Sequence, residues 1–509
     1  MNFRGTLAAM RPVVLALLLL VACVAAADDG VDRGPVGEFD GGAVDDVDAQ
    51  ELVDVSHARE LRGLWVASVW NLDLPSQQGL SVEALDAELV ALVDTADQAG
   101  LNALFFQVRP ESDALYASSI EPWSRWLSGT QGVDPGIDPL ARLIALARPR
   151  GIEVHAWLNP YRAKTSKSSA AAANHVSVRL GKYAYTYGGQ VYMDPGAPAV
   201  EDHIVAVVDD LVRHYDLDGV HFDDYFYPYP NGSEFPDGAT YAVYRDGGGT
   251  LARDDWRRDN INRMIGRVHD AIVAVDPTIR FGVSPFGIYR PGTPAGITGF
   301  DAWAGIYCDP LAWLEAGDVD YVAPQLYWTH DDSGQAYEPL VDWWTEAAGD
   351  EAYAIPGNNL SALGTTAGWT VEEYATQVAL GRAAGAGGQL WYNASPLLED
   401  RQGIRTAMAS WYATPALPPP VAAAREFVVA PPIVHVEGNE ARVDHPEFDS
   451  VSRWVIYRSV ADENGAEAWQ ITNILSADVE RIALEPGTWA ISAVDWADVE
   501  SQGVVVTRP

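Results

Sequence analysis

Short apolar runs alternate with longer amphipathic runs from about residue 59 to residue 412. The first unit is a strand-like run at 61–69 followed by a helical pattern at 82–99. Further predicted strands begin near residues 103, 153, 219, 280, 321, 351 and 388, and a helical pattern follows each. This alternation indicates a parallel sheet with right-handed crossovers. Eight such units predict an α/β protein of the closed (β/α)8, or TIM, barrel type.

A doubly wound open sheet is the alternative for such elements, but no Gly-x-Gly-x-x-Gly turn follows the first strand. We therefore predict a barrel at 58–425. Prolines cluster at 415–420, and the helical periodicity ends there. Beyond them, short strands near 453–458, 482–484 and 488–494 predict a small C-terminal β-sandwich at 426–509. Two of these segments resemble strands of a fibronectin type III module.

The N-terminus predicts export. Residues 1–27 combine two early arginines with an apolar run at 13–21 that is too short to span a bilayer. LVAC at 20–23 resembles a lipobox, which makes Cys23 the expected lipidation site, and ordinary cleavage after residues 25–27 is the alternative. Residues 28–57 are acidic and predict a disordered tether. We expect a lipoprotein of the cell envelope, or otherwise a periplasmic or secreted protein.

Charge restricts the partners of this 509-residue chain. With 33 basic and 71 acidic residues, its net charge of −38 argues against nucleic acid and against electrostatic binding to anionic membranes. The lipid anchor is thus the only membrane contact we expect. The 18 Trp and 22 Tyr residues supply flat rings on which sugars could stack. Two cysteines exclude a disulfide scaffold and a Cys-based metal site.

The most informative segment is 215–230, at the end of the fourth predicted strand. In this barrel fold the active site lies at the carboxyl ends of the strands. Strand alternation puts His221, Asp223 and Tyr225 on one polar face, and Asp224 follows Asp223 directly. A buried acid is unfavourable without partners or a function. One such acid could merely cap the next helix, but other strand ends repeat the polar pattern.

Carboxyl groups, amides, arginines and aromatic rings at these strand ends are typical of glycosidases, which commonly use a proton-donating acid and a second carboxylate. We predict Asp223 and Asp224 as the catalytic pair, with Asp113 in reserve. In the last strand we expect Gln389, Trp391 and Asn393 to face the same rim. The predicted substrate-binding residues are Arg62, Trp65, Gln107, Arg109, His155, Trp157, Asn159, His221, Tyr225, Ser284, Gln325, Tyr327 and Trp328.

Two other functions stay open at this point. His155, His221 and Asp223 could hold a divalent metal, as in a metal-dependent carbohydrate deacetylase. The arginine and aromatic neighbours better suit a sugar or an anion, so we expect no metal and no cofactor. A non-catalytic glycan-binding lipoprotein is the second alternative. No Walker loop, Gly-x-Ser-x-Gly elbow or His-Glu-x-x-His motif is present.

Six motifs, in order, resemble the bacterial glycosyl-hydrolase-like ten family: LRGLWV at 61–66, FQVRP at 106–110, HAWLNP at 155–160, DGVHFDDYFYP at 218–228, GVSPFG at 282–287 and DYVAPQLYW at 320–328. The resemblance implies a (β/α)8 barrel, frequent lipoproteins, and at least one branch that cleaves peptidoglycan glycan strands stripped of their stem peptides.

The segment at 218–225 is also similar to the Asp-Gly-x-Asp-x-Asp-x-Glu strand of chitinase-like barrels. In that comparison Asp223 matches the middle Asp, and Tyr225 replaces the proton-donating Glu, so Asp224 becomes the expected acid. The sequence therefore predicts an exported glycoside hydrolase whose polysaccharide substrate is peptidoglycan glycan.

Overall fold

A computed structural model describes residues 50–421, 424, 427–461 and 467–509. The predicted signal segment, Cys23 and the first part of the predicted tether lie outside these residues. In the described part of the chain, no helix is both long and apolar enough to cross a bilayer.

The strands are β1 (Leu52–Val53), β2 (Leu61–Val66), β3 (Ala103–Arg109), β4 (Glu153–Leu158), β5 (Arg162–Lys164), β6 (Ala184–Tyr187), β7 (Gln190–Met193), β8 (Gly219–Phe222), β9 (Arg280–Val283), β10 (Tyr321–Val322), β11 (Tyr353–Ala354), β12 (Gly357–Asn359), β13 (Gly388–Tyr392), β14 (Ile433–Glu437), β15 (Glu440–Asp444), β16 (Val451–Ala461), β17 (Glu467–Ser476), β18 (Arg481–Ala483), β19 (Gly487–Asp495) and β20 (Gly503–Arg508). The α-helices are α1 (Val82–Gln98), α2 (Arg125–Ser128), α3 (Pro139–Ala147), α4 (Val176–Arg179), α5 (Pro198–His214), α6 (Gly238–Asp246), α7 (Arg253–Val275), α8 (Ala302–Gly305), α9 (Pro310–Ala316), α10 (Tyr337–Ala348), α11 (Val371–Ala384), α12 (Ala394–Leu398) and α13 (Ile404–Trp411).

The central sheet is parallel, in the order β11-β10-β9-β8-β4-β3-β2-β13-β12. β11 and β12 are two pieces of one strand, because Pro356 between them has no N–H to donate to a ladder. The backbone bonds continue through the break: Ile355 N donates to Val322 O (2.9 Å), and Leu390 N donates to Pro356 O (3.0 Å). Eight strands therefore close into a ring, which confirms the predicted (β/α)8 barrel.

Glycines make room for large rings inside the barrel. A Cβ atom on Gly282 would lie 2.2 Å from the ring of Tyr321, and one on Gly219 would lie 2.2 Å from the ring of His155. Such small–large alternation fills the interior of a barrel in layers. The barrel is therefore a packed core below its mouth.

The C-terminal residues form two antiparallel sheets, ordered β1-β20-β19-β16-β17 and β14-β15-β18. Apolar side chains from both sheets, among them Val443, Trp454 and Ile491, share one core, so a small sandwich is present as predicted. The likeness to fibronectin type III stays a prediction. The predicted tether requires a correction: Leu52 pairs with Val504, so residues 50–57 belong to the folded unit.

A buried ion network joins the floor of the barrel to the sandwich. Arg280 Nη1 lies 3.0 Å from Glu153 Oε1, and a second contact ties Arg280 to Asp498. Arg453 Nη1 lies 2.5 Å from Asp498 Oδ1, and its Nη2 lies 3.4 Å from Glu153. All four side chains are buried. Removing one member would leave an uncompensated buried charge. The junction between the barrel and the sandwich therefore depends on all four side chains.

Gly282→Ala tests the layered packing of the barrel. We expect the free energy of unfolding to fall by about 1–3 kcal/mol or more, because the added methyl group overlaps the Tyr321 ring in a close-packed layer. Gly181→Ala is the matched control: no atom lies within 4 Å of its added Cβ, so stability should stay level or rise slightly. Urea unfolding followed by tryptophan fluorescence measures both, and equal losses would contradict the packing argument.

Candidate active site

A cavity of about 150 Å³ opens at the carboxyl ends of the barrel strands. This volume is below the range of about 300–1,000 Å³ typical of small-molecule sites, which favours a ligand that inserts one compact group. The lining residues are Trp65, Ala67, Val69, Trp70, Leu72, Gln107, Trp157, Arg162, Asp223, Tyr225, Ser284, Gln325, Tyr327 and Tyr392.

The two adjacent acids after β8 occupy different environments. Asp223 lines the cavity, and its oxygens accept hydrogen bonds from Asn159 Nδ2 (2.9 Å) and from the backbone N of Asp224 (2.9 Å). Asp224 lies behind it, buried, and accepts a hydrogen bond from the Tyr229 hydroxyl. Burial, together with the charge of Asp223, raises the pKa of Asp224 well above its usual range. Burial therefore favours the protonated form of Asp224, next to the acid that faces the cavity.

A chain of amides orients Asp223. Gln107 Oε1 accepts hydrogen bonds from the backbone N atoms of Ser68 (3.0 Å) and Val69 (2.9 Å), which leaves Gln107 Nε2 to donate to Asn159 Oδ1 (2.6 Å). Asn159 must then direct its own NH2 group at Asp223. Asn159 does not line the cavity, contrary to prediction; it positions the carboxyl group that does.

Arg162 supplies the positive charge of the cavity and was missed as a site residue. It begins β5, in the small antiparallel sheet β5-β7-β6 that follows the third barrel strand. Its guanidinium lies 5.1 Å from the centre of the Tyr225 ring, and Nη2 donates to Asn159 Oδ1 (3.1 Å). Among the lining residues of the described chain it is the only Arg or Lys. Its place three residues after Asn159 was the available signal.

Aromatic rings form much of the cavity wall. Trp65, Trp157, Tyr225 and Tyr327 line it, as do the polar Gln107, Ser284 and Gln325, all at the mouth where they were expected. The pKa of the Tyr225 hydroxyl is raised well above its usual range by the charge of Asp223 and by burial, so this hydroxyl keeps its proton.

Two lining rings, Trp70 and Tyr392, were missed. Tyr392 stacks on Tyr327 with ring centres 5.8 Å apart. The predicted face of β13 was wrong: Leu390 packs in the inner barrel cluster, whereas Trp391 packs in the outer core. Gln389 also faces outward and bonds to the Tyr337 hydroxyl, and Asn393 donates to Asp73. A shift of one residue exchanges the two faces of a strand.

Two predicted arginines lie elsewhere. Arg62 sits near the start of β2, at the floor of the barrel, where it pairs with Glu60 and donates to the carbonyl of Tyr412. Arg109 is buried and binds Glu121 through Nε (2.7 Å) and Nη2 (2.6 Å). Burial by itself would raise the pKa of Glu121, but the charge of Arg109 holds it well below its usual range. A bulge in β3 after Gln107 turns Arg109 away from the cavity.

The two histidines lie inside the barrel, below the cavity. His221 Nε2 accepts from Trp65 Nε1 (3.1 Å), and its Nδ1 bonds the Tyr321 hydroxyl (3.0 Å). His155 Nε2 bonds Glu153 (3.0 Å). Burial lowers the pKa of both histidines, so they are neutral. Neither histidine lines the cavity, although both were predicted to bind substrate. Within the described residues no group of three or more His, Cys, Asp or Glu side chains could hold a metal ion.

Asp113 and Trp328 also lie outside the cavity. Asp113 is buried and accepts a hydrogen bond from Gln131 (2.9 Å); burial and the neighbouring Glu111 raise its pKa to about 7. Trp328 packs edge-on against Phe286, with ring centres 5.8 Å apart. The sequence thus assigned too many residues to the cavity. A position near the end of a strand does not determine whether a loop side chain turns toward the mouth of the barrel.

The comparisons with known proteins agree with this geometry. The model of the family described as "Glycosyl hydrolase-like 10" matches residues 60–355. The chain belongs to this family. The matched range contains Asp223 and every lining residue except Tyr392. The match confirms the resemblance drawn from the six motifs.

Among relatives of this glycosyl hydrolase-like chain, "Glycosyl hydrolase YngK" of Bacillus subtilis is 38% identical over 392 residues, covering 72% of this chain and 75% of the relative. "Glycosyl hydrolase DigH" of Escherichia coli K12 is 33% identical over 359 residues, covering 66% and 79%. A solved structure, the PgaB (BpsB) glycoside hydrolase domain from Bordetella bronchiseptica, gives a TM-score of 0.47 at 14% identity, covering 69% of this chain and 99% of that chain.

Arg109→Met and Arg162→Met should separate a structural from a ligand-facing arginine. Arg109→Met removes both guanidinium contacts from the buried Glu121 and leaves His203 as its remaining partner at 2.7 Å, so we expect the free energy of unfolding to fall by about 3–5 kcal/mol. Arg162→Met loses two hydrogen bonds, to Pro110 and Asn159, and should lose at most about 1–2 kcal/mol. Urea unfolding measures both. A larger loss for Arg162→Met would contradict the assignment.

Proposed function

We propose that this protein is an exported glycoside hydrolase that cleaves a cell-wall polysaccharide, peptidoglycan glycan. The observation that carries the proposal is Asp223, held by an amide in an aromatic-lined cavity with a proton-bearing carboxyl group, Asp224, directly behind it. Two carboxyl groups whose environments differ can divide the acid and base roles between them. Family membership supports the reaction class.

In this proposal the acid pair moves the protons. As the C1–O bond breaks, the pair gives a proton to the departing glycosidic oxygen through Asp223, and Asp224 can replenish it. A water molecule adds its hydroxyl to C1 and returns its proton to the pair. Among the lining residues that the structure describes, Asp223 is the only acid. The group that first attacks C1 is therefore not a second lining carboxylate. It is that water, or it is the acetamido oxygen of an N-acetylated substrate, which the water then displaces from C1.

Arg162 supports an acidic sugar as the substrate. A guanidinium at the wall of a small cavity suits a carboxylate on the sugar ring or on its substituent. Muramic acid in peptidoglycan carries such a carboxylate. Export and anchoring through a lipid on Cys23 would bring the protein to that substrate, and both belong to the proposal.

Asp223→Asn tests catalysis against mere binding. Incubation with purified, peptide-free sacculi should release sugar fragments with the unchanged protein, and about 10²–10⁴-fold more slowly with Asp223→Asn, because the proton route ends at this group. Binding to the same glycan should persist. Asp113→Asn is the control: its carboxyl group lies outside the cavity, so release should continue.

Two results would contradict the proposal. Release that does not depend on Asp223 would place the chemistry elsewhere. Glycan binding without release by the unchanged protein would favour the glycan-binding alternative, which the single lining acid also fits.

The pH dependence of turnover tests the role of Asp224. A carboxyl group with a raised pKa is protonated below that pKa, so a rate that needs its proton is present at low pH and is lost as the pH rises through it. The hydrogen bond from Tyr229 lowers the pKa of Asp224. Tyr229→Phe should therefore move the alkaline limb of kcat/KM to higher pH, and Asp224→Asn should abolish turnover at every pH. An alkaline limb that Tyr229→Phe leaves in place would exclude Asp224 as the proton source.

A further inference from the structure

The loop after β2 holds two consecutive non-glycine residues in the left-handed backbone region. Trp70 has φ 59° and ψ 15°, and Asn71 has φ 51°. For a bulky aromatic residue this conformation is a genuine outlier and is unfavourable. Such strain persists only where the surroundings enforce it, and it concentrates at functional sites.

The surroundings do enforce this turn. The Asn71 side-chain amide donates to the carbonyl oxygens of Pro75 and Trp126, each at 2.9 Å. Asp73, two residues on, accepts a hydrogen bond from Asn393 Nδ2 at 2.8 Å, which fastens the loop to the end of the last barrel strand. The loop is therefore tied at both sides, and its strain is built in.

The fold gains little from the Trp70 side chain. Trp70 is 58% exposed, and the neighbouring Leu72 is 44% exposed, so neither is a core residue. Both nevertheless line the mouth of the cavity that holds Asp223. An exposed apolar patch continuous with a polar cavity marks a ligand surface.

We propose that Trp70 is a stacking platform for a second sugar ring, adjacent in the glycan chain to the ring that enters the cavity. This inference rests on the proposed function in one respect: the ligand is a glycan. A cavity of about 150 Å³ leaves the rest of a polymer outside. The strained turn holds the exposed indole at the edge of the cavity, where the chain must emerge, and indoles combine an apolar face with an N–H group.

The experiment measures binding in the Asp223→Asn background, so that ligands are not consumed. The probes are peptide-free glycan strands and N-acetylmuramic acid, the single acidic sugar of those strands. Trp70→Ala should weaken binding of the long strands about tenfold or more, the effect of losing one well-packed aromatic contact. It should change binding of the single sugar much less, because one ring occupies only the cavity. Trp70→Phe should restore most of the lost affinity. Equal losses for both ligands, or none for the long strands, would overturn the proposal.

Thermal unfolding of Trp70→Gly tests whether Trp70 stabilises the fold or serves the ligand. Glycine adopts positive φ without strain, so the melting temperature should equal or exceed that of the unchanged protein while long-strand binding falls. A lower melting temperature would mean that Trp70 serves the fold. Failure of the protein with Trp70 intact to bind the glycan strands would overturn the proposed function as well, whereas strand binding that is unchanged by Trp70→Ala would overturn only this inference.

Discussion

The removal of two adjacent carboxyl groups from water at one end of the barrel is the constraint on which the site depends. Asp223 accepts a hydrogen bond from Asn159 and lines the cavity, whereas Asp224 is enclosed, and burial raises its pKa well above the usual range. The difference between the two environments depends on neighbouring side chains that are held in place. The amide chain from Gln107 through Asn159 provides it, and the Arg109–Glu121 pair supports the chain from behind, since Arg109 donates to the Asn159 carbonyl at 2.8 Å.

The two ends of the barrel handle buried charge in opposite ways. At the floor, Glu153, Arg280, Asp498 and Arg453 satisfy one another and fasten the sandwich to the barrel. At the mouth, neither acid forms an ion pair within the part of the chain that the structure describes, and the nearby Arg162 donates to Asn159 and lies against Tyr225. A paired network stabilises one closed arrangement. An incompletely paired site is less favourable for folding but leaves polar groups for a ligand.

Backbone strain and exposed apolar side chains are also found at the mouth of the barrel. The left-handed turn at Trp70 and the exposed side chain of Leu72 occur beside the mouth, and they would be expensive features in a surface loop without a ligand. The barrel brings together groups that are far apart in the chain: Asp223 follows β8, the strained turn follows β2, and the sheet that carries Arg162 follows β4.

The eight strand–helix units, the sandwich and the position of Asp223 could be predicted from the sequence, because alternation and helical periodicity are local properties. The six motifs also identified the family. The choice among Arg62, Arg109 and Arg162 could not be predicted: alternation assigns a face to each residue, but height along the barrel, the bulge after Gln107 and the course of a loop depend on neighbouring strands. Only the tertiary structure placed Asp224 behind Asp223, because burial is decided by what packs against a side chain and not by its place in the chain.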